Sequence, residues 1–370
     1  MNVPAGARRA TVLIAGGGTG GHLMPALALA DELHRQAPHI EAVIVGADRG
    51  IEASLLPARG RRFALLPAEP LYRRQWWRNL RWPVLAWRLL RRTGELLDRE
   101  SPAAVVGTGG YASAPVVWLA ARRGIPTAVQ EQNAVPGLAT RLLSRRVDQV
   151  YLGVPEARAH IRVGRTTRIF DTGNPITPPD HGRRERARAR FGLQDQRPVV
   201  LVTGGSQGAV AINEAVAGWL DGGGGNGLSL VWTTGRGSYP HYARFHHPPD
   251  VHVLDFLDPM ADGYAVADLV VGRGGMMTFA ELCAWGLASI LIPLPSSAAD
   301  HQVRNARAMD RIGATRILLQ EELTRERLGG EIQRLLMNRE EREGIARRAA
   351  ARGKPEASRE IVSHILTLFR

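Results

Sequence analysis

Cysteine and lysine are nearly absent from this chain, and each absence excludes a kind of chemistry. Cys283 is the one cysteine among 370 residues, so neither an internal disulfide framework nor a cysteine-built zinc site is available. Lys354 is the one lysine, which excludes a Schiff-base mechanism and a Walker-type phosphate loop that depends on lysine. The low cysteine content favours a reduced, cytoplasmic environment.

Long apolar runs and metal-ligand motifs are also missing. No stretch approaches the ~20 apolar residues of a membrane-spanning helix. Arg8 and Arg9 precede too few apolar residues before Gly16 to form a signal peptide. No Asp-x-Asp sequence occurs and the histidines lack metal-ligand spacing, so we expect no metal and no cofactor.

Acidic residues are outnumbered by basic ones, which leaves a formal net charge of +13. Such an excess indicates an anionic partner, and nucleic acid, an anionic membrane surface and phosphorylated substrates all satisfy it. The hydrophobic fraction of 44% is that of an ordinary globular protein, so the charge is expected on the surface of a folded chain.

Apolar runs and helical segments alternate in both halves of the chain. Strand-like runs such as 11–16, 41–47 and 103–110 are separated by helical segments, which is typical of a parallel sheet covered on both faces. A Pro-rich and then Arg-rich stretch at 173–198 interrupts the pattern, which restarts at 198–216. We interpret the interruption as a linker plus one basic helix whose arginines face solvent.

This pattern predicts two Rossmann-like domains facing a cleft. We place them at 1–175 and 176–350, and we expect a C-terminal helix at 351–370 to pack back on the first domain. Ligands of such sheets bind at the carboxyl ends of the strands, so the glycine turns that follow the strands should line the cleft.

The first glycine turn lies in the sequence AGGGTGGHLMPAL, residues 15–27. A strand, five glycines and a helix form a site for an anion, because backbone N–H groups can approach it at a helix N-terminus. The glycines also satisfy G-x-G-x-x-G, so a dinucleotide held through Asp48 is an alternative.

His22 follows the last glycine directly, and the helix is predicted to begin near Leu23 or Met24. The helix dipole there favours a neutral imidazole, which can take a proton from an attacking hydroxyl. The alternative is a histidine that only hydrogen-bonds the backbone. Two other strands end in polar clusters at the same sheet edge, at 109–111 and 131–133. For Asn133, in the second cluster, the alternative to a site role is a capping role ahead of Pro136.

A second glycine turn at 204–208 opens the second half, and glycines recur in GRGGMMTFAELCAWG, residues 272–286. This arrangement suits a nucleotide, with N–H groups for a diphosphate and the Glu281 carboxylate for ribose hydroxyls. The alternative is that Glu281 only interacts with the helix dipole. Residues 298–306, AADHQVRNA, add polar side chains suited to sugar hydroxyls.

A segment rich in tryptophan and arginine spans residues 72–92. From Pro83 onward it predicts an amphipathic helix with Trp87 at the edge of the apolar face and three arginines opposite: Arg88, Arg91 and Arg92. Indole rings and guanidinium groups together favour an anionic membrane interface. RNA stacking would use the same residues, and a structural helix is the third interpretation.

Together these motifs resemble the bacterial N-acetylglucosaminyl transferases that convert lipid I to lipid II in peptidoglycan synthesis. The motifs, in the family's order, are GGGTGGHLMPALALA, GTGGYASAP, EQNAVPGL, TGNPI, VTGGSQGA, FLDPM, TFAE and AADHQVRNA. They cover both halves, from about residue 12 to residue 306.

The resemblance implies a GT-B fold and an inverting, metal-independent transfer at the cytoplasmic face of the membrane, with no nucleic acid involved. UDP-N-acetylglucosamine would be the donor and undecaprenyl-diphosphate-linked N-acetylmuramyl-pentapeptide the acceptor. It implies His22 as the base that deprotonates the acceptor 4-hydroxyl, with Glu131 or Tyr111 as possible contributors. The implied substrate-binding residues are Thr19, Gly20, Gly21, Asn133, Ser206, Leu257, Met276, Met277, Thr278, Phe279, Ala280, Glu281 and Gln302.

Three positions depart from the family pattern. Thr177 stands where an arginine is usual, so its donor-phosphate contact is lost or comes from another arginine such as Arg165 or Arg168. Met276 places a larger side chain beside the donor sugar, and Thr140 replaces a common asparagine. Two other functions stay open, a transferase of similar fold with a soluble acceptor and a non-catalytic nucleotide-sugar-binding or RNA-binding protein.

Overall fold

Two parallel β-sheets, one in each unit of the chain, account for the alternation seen in the sequence. The computed structural model describes residues 10–18, 20–49, 52, 56–57, 60–69, 81–193, 196–205, 207–295 and 301–369. One unit comprises Met1–Thr177 and Glu356–Arg370, and the other comprises Pro178–Pro355. The second unit therefore extends five residues beyond the predicted boundary at 350, because the helix Arg339–Arg352 belongs to it.

The sheet of the first unit has the strand order β3-β2-β1-β4-β5-β6-β7. Its strands are β1 Thr11–Gly16, β2 Glu41–Ala47, β3 Phe63–Leu66, β4 Ala104–Gly109, β5 Thr127–Glu131, β6 Gln149–Leu152 and β7 Arg168–Phe170. Its helices are α1 Gly20–Gln36, α2 Trp82–Glu100, α3 Ser113–Arg122 and α4 Leu138–Leu143, followed by the 3-10 helix Pro155–His160 and, at the C-terminus, α13 Ala357–Leu366.

The two faces of this sheet carry separate cores because successive strand residues point to opposite sides. Leu13 of β1 joins one core, with Leu96 of α2 and Val116 of α3. Ile14, the next residue, joins the other core, which contains α1 and Ile361 of α13. The C-terminal helix is thus part of the first unit, where the Ser358 hydroxyl also donates to the Ile176 carbonyl at 2.8 Å.

The sheet of the second unit repeats the plan with the order β10-β9-β8-β11-β12-β13. Its strands are β8 Val199–Thr203, β9 Ser229–Thr233, β10 Val251–Leu254, β11 Leu269–Gly272, β12 Ser289–Leu291 and β13 Arg316–Ile317. Its helices are α5 Arg184–Arg190, α6 Val210–Asp221, α7 Tyr239–Tyr242, α8 Met260–Val266, α9 Met276–Trp285, α10 His301–Arg311, α11 Arg325–Met337 and α12 Arg339–Arg352, with 3-10 turns at His181–Arg183, Ala243–Phe245 and Gln320–Glu322.

The basic segment at 183–190 exposes Arg184 and Arg186, as predicted, but two of its arginines also bind a carboxylate. Arg183 and Arg190 donate to the two oxygens of Asp262 on α8, at 2.8 and 2.6 Å. Burial alone would raise the pKa of Asp262, but the hydrogen bonds from the two guanidinium groups outweigh it and the pKa is lowered. The basic helix α5 is therefore bound to α8 of the same unit through the Asp262 carboxylate, which stays charged.

The helix α2 carries the described part of the Trp/Arg segment, since residues 72–80 lie outside the described residues. Of two leucines predicted on the apolar face, Leu89 is buried against the sheet and Leu90 is 37% exposed. Trp87 is 59% exposed and stands with Arg88 and Arg91 on the solvent side, rather than at the edge of the buried face. Among the helices the structure describes, none combines the length and the apolar character that crossing a bilayer requires.

Candidate active site

Glycine turns follow the two central strands of each sheet. In the first unit β1 and β4 are neighbours in the sheet, and their carboxyl ends lead into Gly17–Gly18 and Gly109–Gly110. In the second unit β8 and β11 are neighbours, and they lead into the turns at 204–208 and 273–275. The strand order reverses at each of these pairs, which is where open parallel sheets bind ligands.

The two turns of the first unit touch each other, and this contact requires glycine. Gly110 has φ +83°, and a Cβ there would overlap the carbonyl of Gly17. Gly109 has φ +97°, and a Cβ there would lie 2.6 Å from Nδ1 of His22. The Tyr111 ring covers Gly18 in the same way. Side chains at these positions would push the turns apart and displace the histidine.

His22 lies in the first turn of α1, because the helix begins at Gly20 and not near Leu23 as predicted. At the N-terminus of this helix, Gly20 is half-buried and Gly21 is exposed. Thr19 lies outside the described residues. The ring is half-buried, and its Nδ1 lies 3.2 Å from both the Thr108 carbonyl and Oε1 of Gln132. Among the described residues, none forms a hydrogen bond with Nε2.

Glu131 ends β5 and is 3% exposed. Its Oε1 accepts from the backbone and side-chain amides of Asn133, both at 3.0 Å, and its Oε2 accepts from the Gly137 amide at 3.1 Å. Both oxygens are therefore engaged in shaping the 133–137 loop. Asn133 is held by this carboxylate, while the helix α4 that follows is capped by Gly137.

Glu52 is a buried carboxylate beneath the first turn that sequence reasoning missed. Its Oε1 accepts from the Gly18 amide, and its Oε2 has no hydrogen-bond partner among the described residues. Asp48 is the acidic residue that directly follows β2, so the sequence pattern pointed to Asp48 and not to Glu52. The Glu52 carboxylate holds the first glycine turn in place through this hydrogen bond.

In the second unit, the turn after β8 packs against the end of β9. A Cβ on Gly235 would lie 2.5 Å from the Gln207 carbonyl, and the Gly208 amide donates to the Gly205 carbonyl at 3.0 Å. Ser206 lies outside the described residues. Leu257 follows β10 with its side chain buried, so its backbone rather than its side chain is available to a ligand.

The helix α9 begins at Met276 without a side-chain cap, and its first amides have no partner within the helix. The side chains of Met276 and Phe279 are each 4% exposed. The Met276 side chain therefore packs mainly against the protein, and a ligand at the start of α9 would meet the backbone of this residue more than its side chain. Met277, Thr278, Ala280 and Glu281 are half-buried along the helix.

Glu281 lies in the second turn of α9 and accepts a hydrogen bond from the Tyr264 hydroxyl on α8 at 2.8 Å. Burial raises the pKa of Glu281, and the Tyr264 hydrogen bond opposes that rise only in part. Burial likewise raises the pKa of Tyr264, so its hydroxyl keeps the proton that it donates. Sequence reasoning missed Tyr264, because a tyrosine among apolar residues carries no signal of its own.

Gln302 reaches the start of α9 through a close backbone contact. A Cβ on Gly274 would lie 3.1 Å from the Gln302 carbonyl, and Oε1 of Gln302 accepts from the Leu294 amide at 3.0 Å. Arg273 lies beside it and donates to the Ile292 carbonyl at 3.2 Å and to Oε1 of Gln320 at 2.7 Å. Burial lowers the pKa of Arg273.

Both units match known domains. Residues 12–152 match the glycosyltransferase family 28 N-terminal domain, and residues 199–361 match the glycosyltransferase family 28 C-terminal domain. A relative from Desulfitobacterium hafniense (strain DSM 10664 / DCB-2) is 38% identical over 360 residues, which cover 95% of this chain and 97% of the relative. That relative is named UDP-N-acetylglucosamine–N-acetylmuramyl-(pentapeptide) pyrophosphoryl-undecaprenol N-acetylglucosamine transferase.

Solved structures share the architecture. The crystal structure of Acinetobacter baumannii MurG is similar with a TM-score of 0.74 at 27% identity, covering 97% of this chain and 99% of that one. The glycosyltransferase of kitacinnamycin has a TM-score of 0.68 at 18% identity, covering 98% and 100%, and this likeness concerns the fold alone. The predicted GT-B fold of two Rossmann-like units is confirmed.

Glu281→Gln should raise the free energy of unfolding at neutral pH, because burial raises the pKa of Glu281 and so disfavours its charged form in the folded state. The amide still accepts from Tyr264 but removes a charge that the fold buries. Because the pKa of Glu281 is raised in the folded state, wild type and variant should be equally stable below the ordinary glutamate pKa. The difference should open as the pH rises above the ordinary glutamate pKa and should be complete once the pH exceeds the raised value.

Urea titrations between pH 4 and pH 8 measure this difference. Glu326→Gln is the matched control, because a hydrogen bond from Arg325 lowers the pKa of Glu326 and its removal should bring no gain. Equal stability of Glu281→Gln and wild type at pH 8 would contradict the burial of a charge at this position.

Proposed function

This chain belongs to the family of UDP-N-acetylglucosamine–N-acetylmuramyl-(pentapeptide) pyrophosphoryl-undecaprenol N-acetylglucosamine transferases, and from this membership we propose how its two units divide the reaction. The enzyme transfers N-acetylglucosamine from UDP-N-acetylglucosamine to lipid I and yields lipid II for peptidoglycan synthesis. The second unit holds the donor, and the first unit holds the acceptor and the base.

On the donor side, the amides at the start of α9 and the turn at 204–208 bind the diphosphate of UDP. The N-terminal amides of a helix and its dipole favour an anion. The run from Met276 to Glu281 follows the sugar, phosphates and ribose, with Glu281 on the ribose hydroxyls and the Leu257 backbone on the base. Gln302 contacts the hydroxyls of the transferred sugar, and Ser206 is assigned to the phosphates.

On the acceptor side, the glycine turn from Gly17 to Gly21 binds the diphosphate of the lipid, and Thr19 and Asn133 are assigned to the same substrate. His22 takes the proton from the 4-hydroxyl of the N-acetylmuramyl group as that oxygen attacks the anomeric carbon of the donor sugar. The bond from that carbon to the β-phosphate oxygen breaks, UDP leaves, and the anomeric configuration inverts. The charge on UDP is met by backbone amides, so the step requires no metal ion.

The observation that carries this assignment is the position of His22. It lies in the first turn of a helix, beside two glycine turns, with one ring nitrogen engaged by the protein. Glu131 was the other candidate base. Because both its oxygens accept from the 133–137 loop, we assign it the shaping of that loop.

The acceptor is attached to a lipid, and the first unit offers a surface suited to a membrane. Val84 and Trp87 on α2 are 56% and 59% exposed, and Leu138 and Leu142 on α4 are 65% and 62% exposed. Trp118 lines a groove with Trp87 on one side and a groove with Leu142 on the other. Exposed apolar side chains grouped in this way indicate a docking site.

Arginines border this surface. Arg91 and Arg92 share the Glu95 carboxylate, and the Arg91 guanidinium lies 5.7 Å from the centre of the Trp87 ring. Within the described residues no carboxylate pairs with Arg88. We therefore propose peripheral binding to anionic lipid at the cytoplasmic face. A transferase with a soluble acceptor would have no use for this surface.

Glu281→Ala should weaken UDP binding about ten- to a hundredfold, because a hydrogen bond to a charged group contributes roughly 1.5–3 kcal/mol. Titration calorimetry with UDP measures the change. Glu326→Ala is the control for a helix-dipole role, since Glu326 lies in the first turn of α11 in the same unit. Unchanged UDP affinity in Glu281→Ala would remove Glu281 from the ribose site.

His22→Ala should lower turnover about 10²–10⁴-fold, the usual contribution of a general base. The assay combines labelled UDP-N-acetylglucosamine with a lipid I analogue, and UDP affinity should stay unchanged. His22→Gln should fail likewise, because its amide can hydrogen-bond but cannot accept the proton. His34→Ala, an exposed histidine on the same helix, is the matched control. Near-normal turnover in both His22 variants would move the base elsewhere.

Trp87→Ser and Arg88→Ser should each weaken binding to anionic vesicles without changing UDP affinity. A surface arginine contributes about 1 kcal/mol to such binding, or roughly fivefold. Binding of the wild type should weaken as salt rises. Met337→Ser, which changes an exposed apolar residue of the second unit, is the control in the co-sedimentation assay. Salt-independent binding, or equal binding of all variants, would contradict the membrane assignment.

A further inference from the structure

Three buried amide side chains connect His22 to the interior of the first unit. Gln130, Gln132 and Asn174 are 1%, 3% and 2% exposed, and they contact one another in a chain that ends at the histidine ring. Two of them lie on or just beyond β5, and the third follows β7. Amides this deeply buried have few possible partners, so their orientations can be read from the contacts.

The orientation of each amide follows from a backbone carbonyl at the inner end. Nδ2 of Asn174 faces the Gln132 carbonyl at 3.1 Å and must donate to it, so Oδ1 of Asn174 accepts from Nε2 of Gln130 at 2.9 Å. Oε1 of Gln130 is then the acceptor for Nε2 of Gln132. Oε1 of Gln132 remains, and it faces Nδ1 of His22.

The outer end gives the same answer independently. Nε2 of Gln132 lies 2.7 Å from the Thr108 carbonyl, which can only accept. Reversing the Gln132 amide would therefore set two acceptors against each other at both Thr108 and Gln130. The chain has one consistent arrangement, closed by a backbone carbonyl at each end.

Nδ1 of His22 consequently faces two oxygens that only accept, the Thr108 carbonyl and Oε1 of Gln132, each at 3.2 Å. A neutral imidazole carries one proton, and here it must sit on Nδ1. We infer that Gln132, oriented by Gln130 and Asn174, is a positioning residue that holds His22 in the Nδ1–H tautomer with the lone pair of Nε2 free. This inference rests on the proposed role of His22 as the base.

The arrangement matters because only an unprotonated nitrogen can take a proton. Without Gln132, the Thr108 carbonyl alone would hold the ring, and the tautomer that carries its proton on Nε2 would compete. That tautomer cannot act as a base through Nε2. The expected effect falls on turnover and leaves donor affinity unchanged, because the donor is held by the other unit.

The test is the tautomer of His22 in the full-length chain, read from two-bond ¹H–¹⁵N correlation spectra of protein labelled at histidine. The His22 signals are assigned by their loss in His22→Gln, since the chain has 11 histidines. We expect a protonated Nδ1 and an unprotonated Nε2. Gln132→Met, which keeps the size but removes both polar atoms, should mix the tautomers and lower kcat by up to about tenfold, the usual effect of one lost hydrogen bond, with UDP affinity unchanged.

Gln149→Met is the matched control. Gln149 is fully buried on the neighbouring strand β6 and bonds Tyr151 and Thr367, away from His22. It should lose stability comparably and keep the wild-type tautomer and kcat. If Gln132→Met does not fold, Gln130→Met is the second variant. It removes the hydrogen bond that orients Gln132 and leaves the contacts of His22 in place, so it should change the tautomer and kcat in the same direction by a smaller factor.

A wild-type His22 protonated on Nε2 would overturn the inference, as would a Gln132→Met protein with the wild-type tautomer and kcat. The proposed function fails in a different way. If His22→Gln keeps its turnover while the wild-type ring shows the expected tautomer, the tautomer assignment stands and the assignment of His22 as the base falls.

Discussion

The reversal of strand order at the centre of each sheet is the constraint on which the site depends. In the first unit β1 and β4 are adjacent, and their chains leave in opposite directions, so the space beyond their carboxyl ends is not filled by a crossover helix. The second unit repeats this with β8 and β11. The glycine turns, His22 and the start of α9 all follow from where these four strands end.

The turns themselves require glycine because two backbones approach there without room for side chains. Gly110 against Gly17 and Gly235 against Gln207 are contacts between main chains, and Gly110 and Gly235 also have positive φ. Close packing of this kind leaves amides, and not cationic side chains, as the groups that face an anion. Arg273, in the turn that follows β11, is engaged elsewhere, with the Ile292 carbonyl and Gln320.

Sequence patterns predicted the elements that depend on local composition. Runs such as VVLVT and the glycines after them identify β8 and its turn, because β-branched runs favour buried strands. The short strands β3, β7 and β13 were missed, since two to four residues carry too little periodicity. The start of α1 at Gly20 was also missed, because glycine is a poor helix former and the turn geometry overrides that preference.

Contacts between residues far apart in the chain could not be predicted from the sequence, for a different reason. Nothing in a single chain shows that Arg183 and Arg190 meet Asp262, or that the Tyr264 hydroxyl meets Glu281, because tertiary packing selects each partner. The polar cluster at 131–133 was identified from the sequence, but the separate roles of its residues were not. The hydrogen bonds of the structure assign these roles. Both carboxylate oxygens of Glu131 accept from the 133–137 loop, whereas Oε1 of Gln132 faces His22. The same three-residue stretch thus shapes one side of the site with a charge and orients the histidine with a neutral amide, which adds no charge beside the group that must accept a proton.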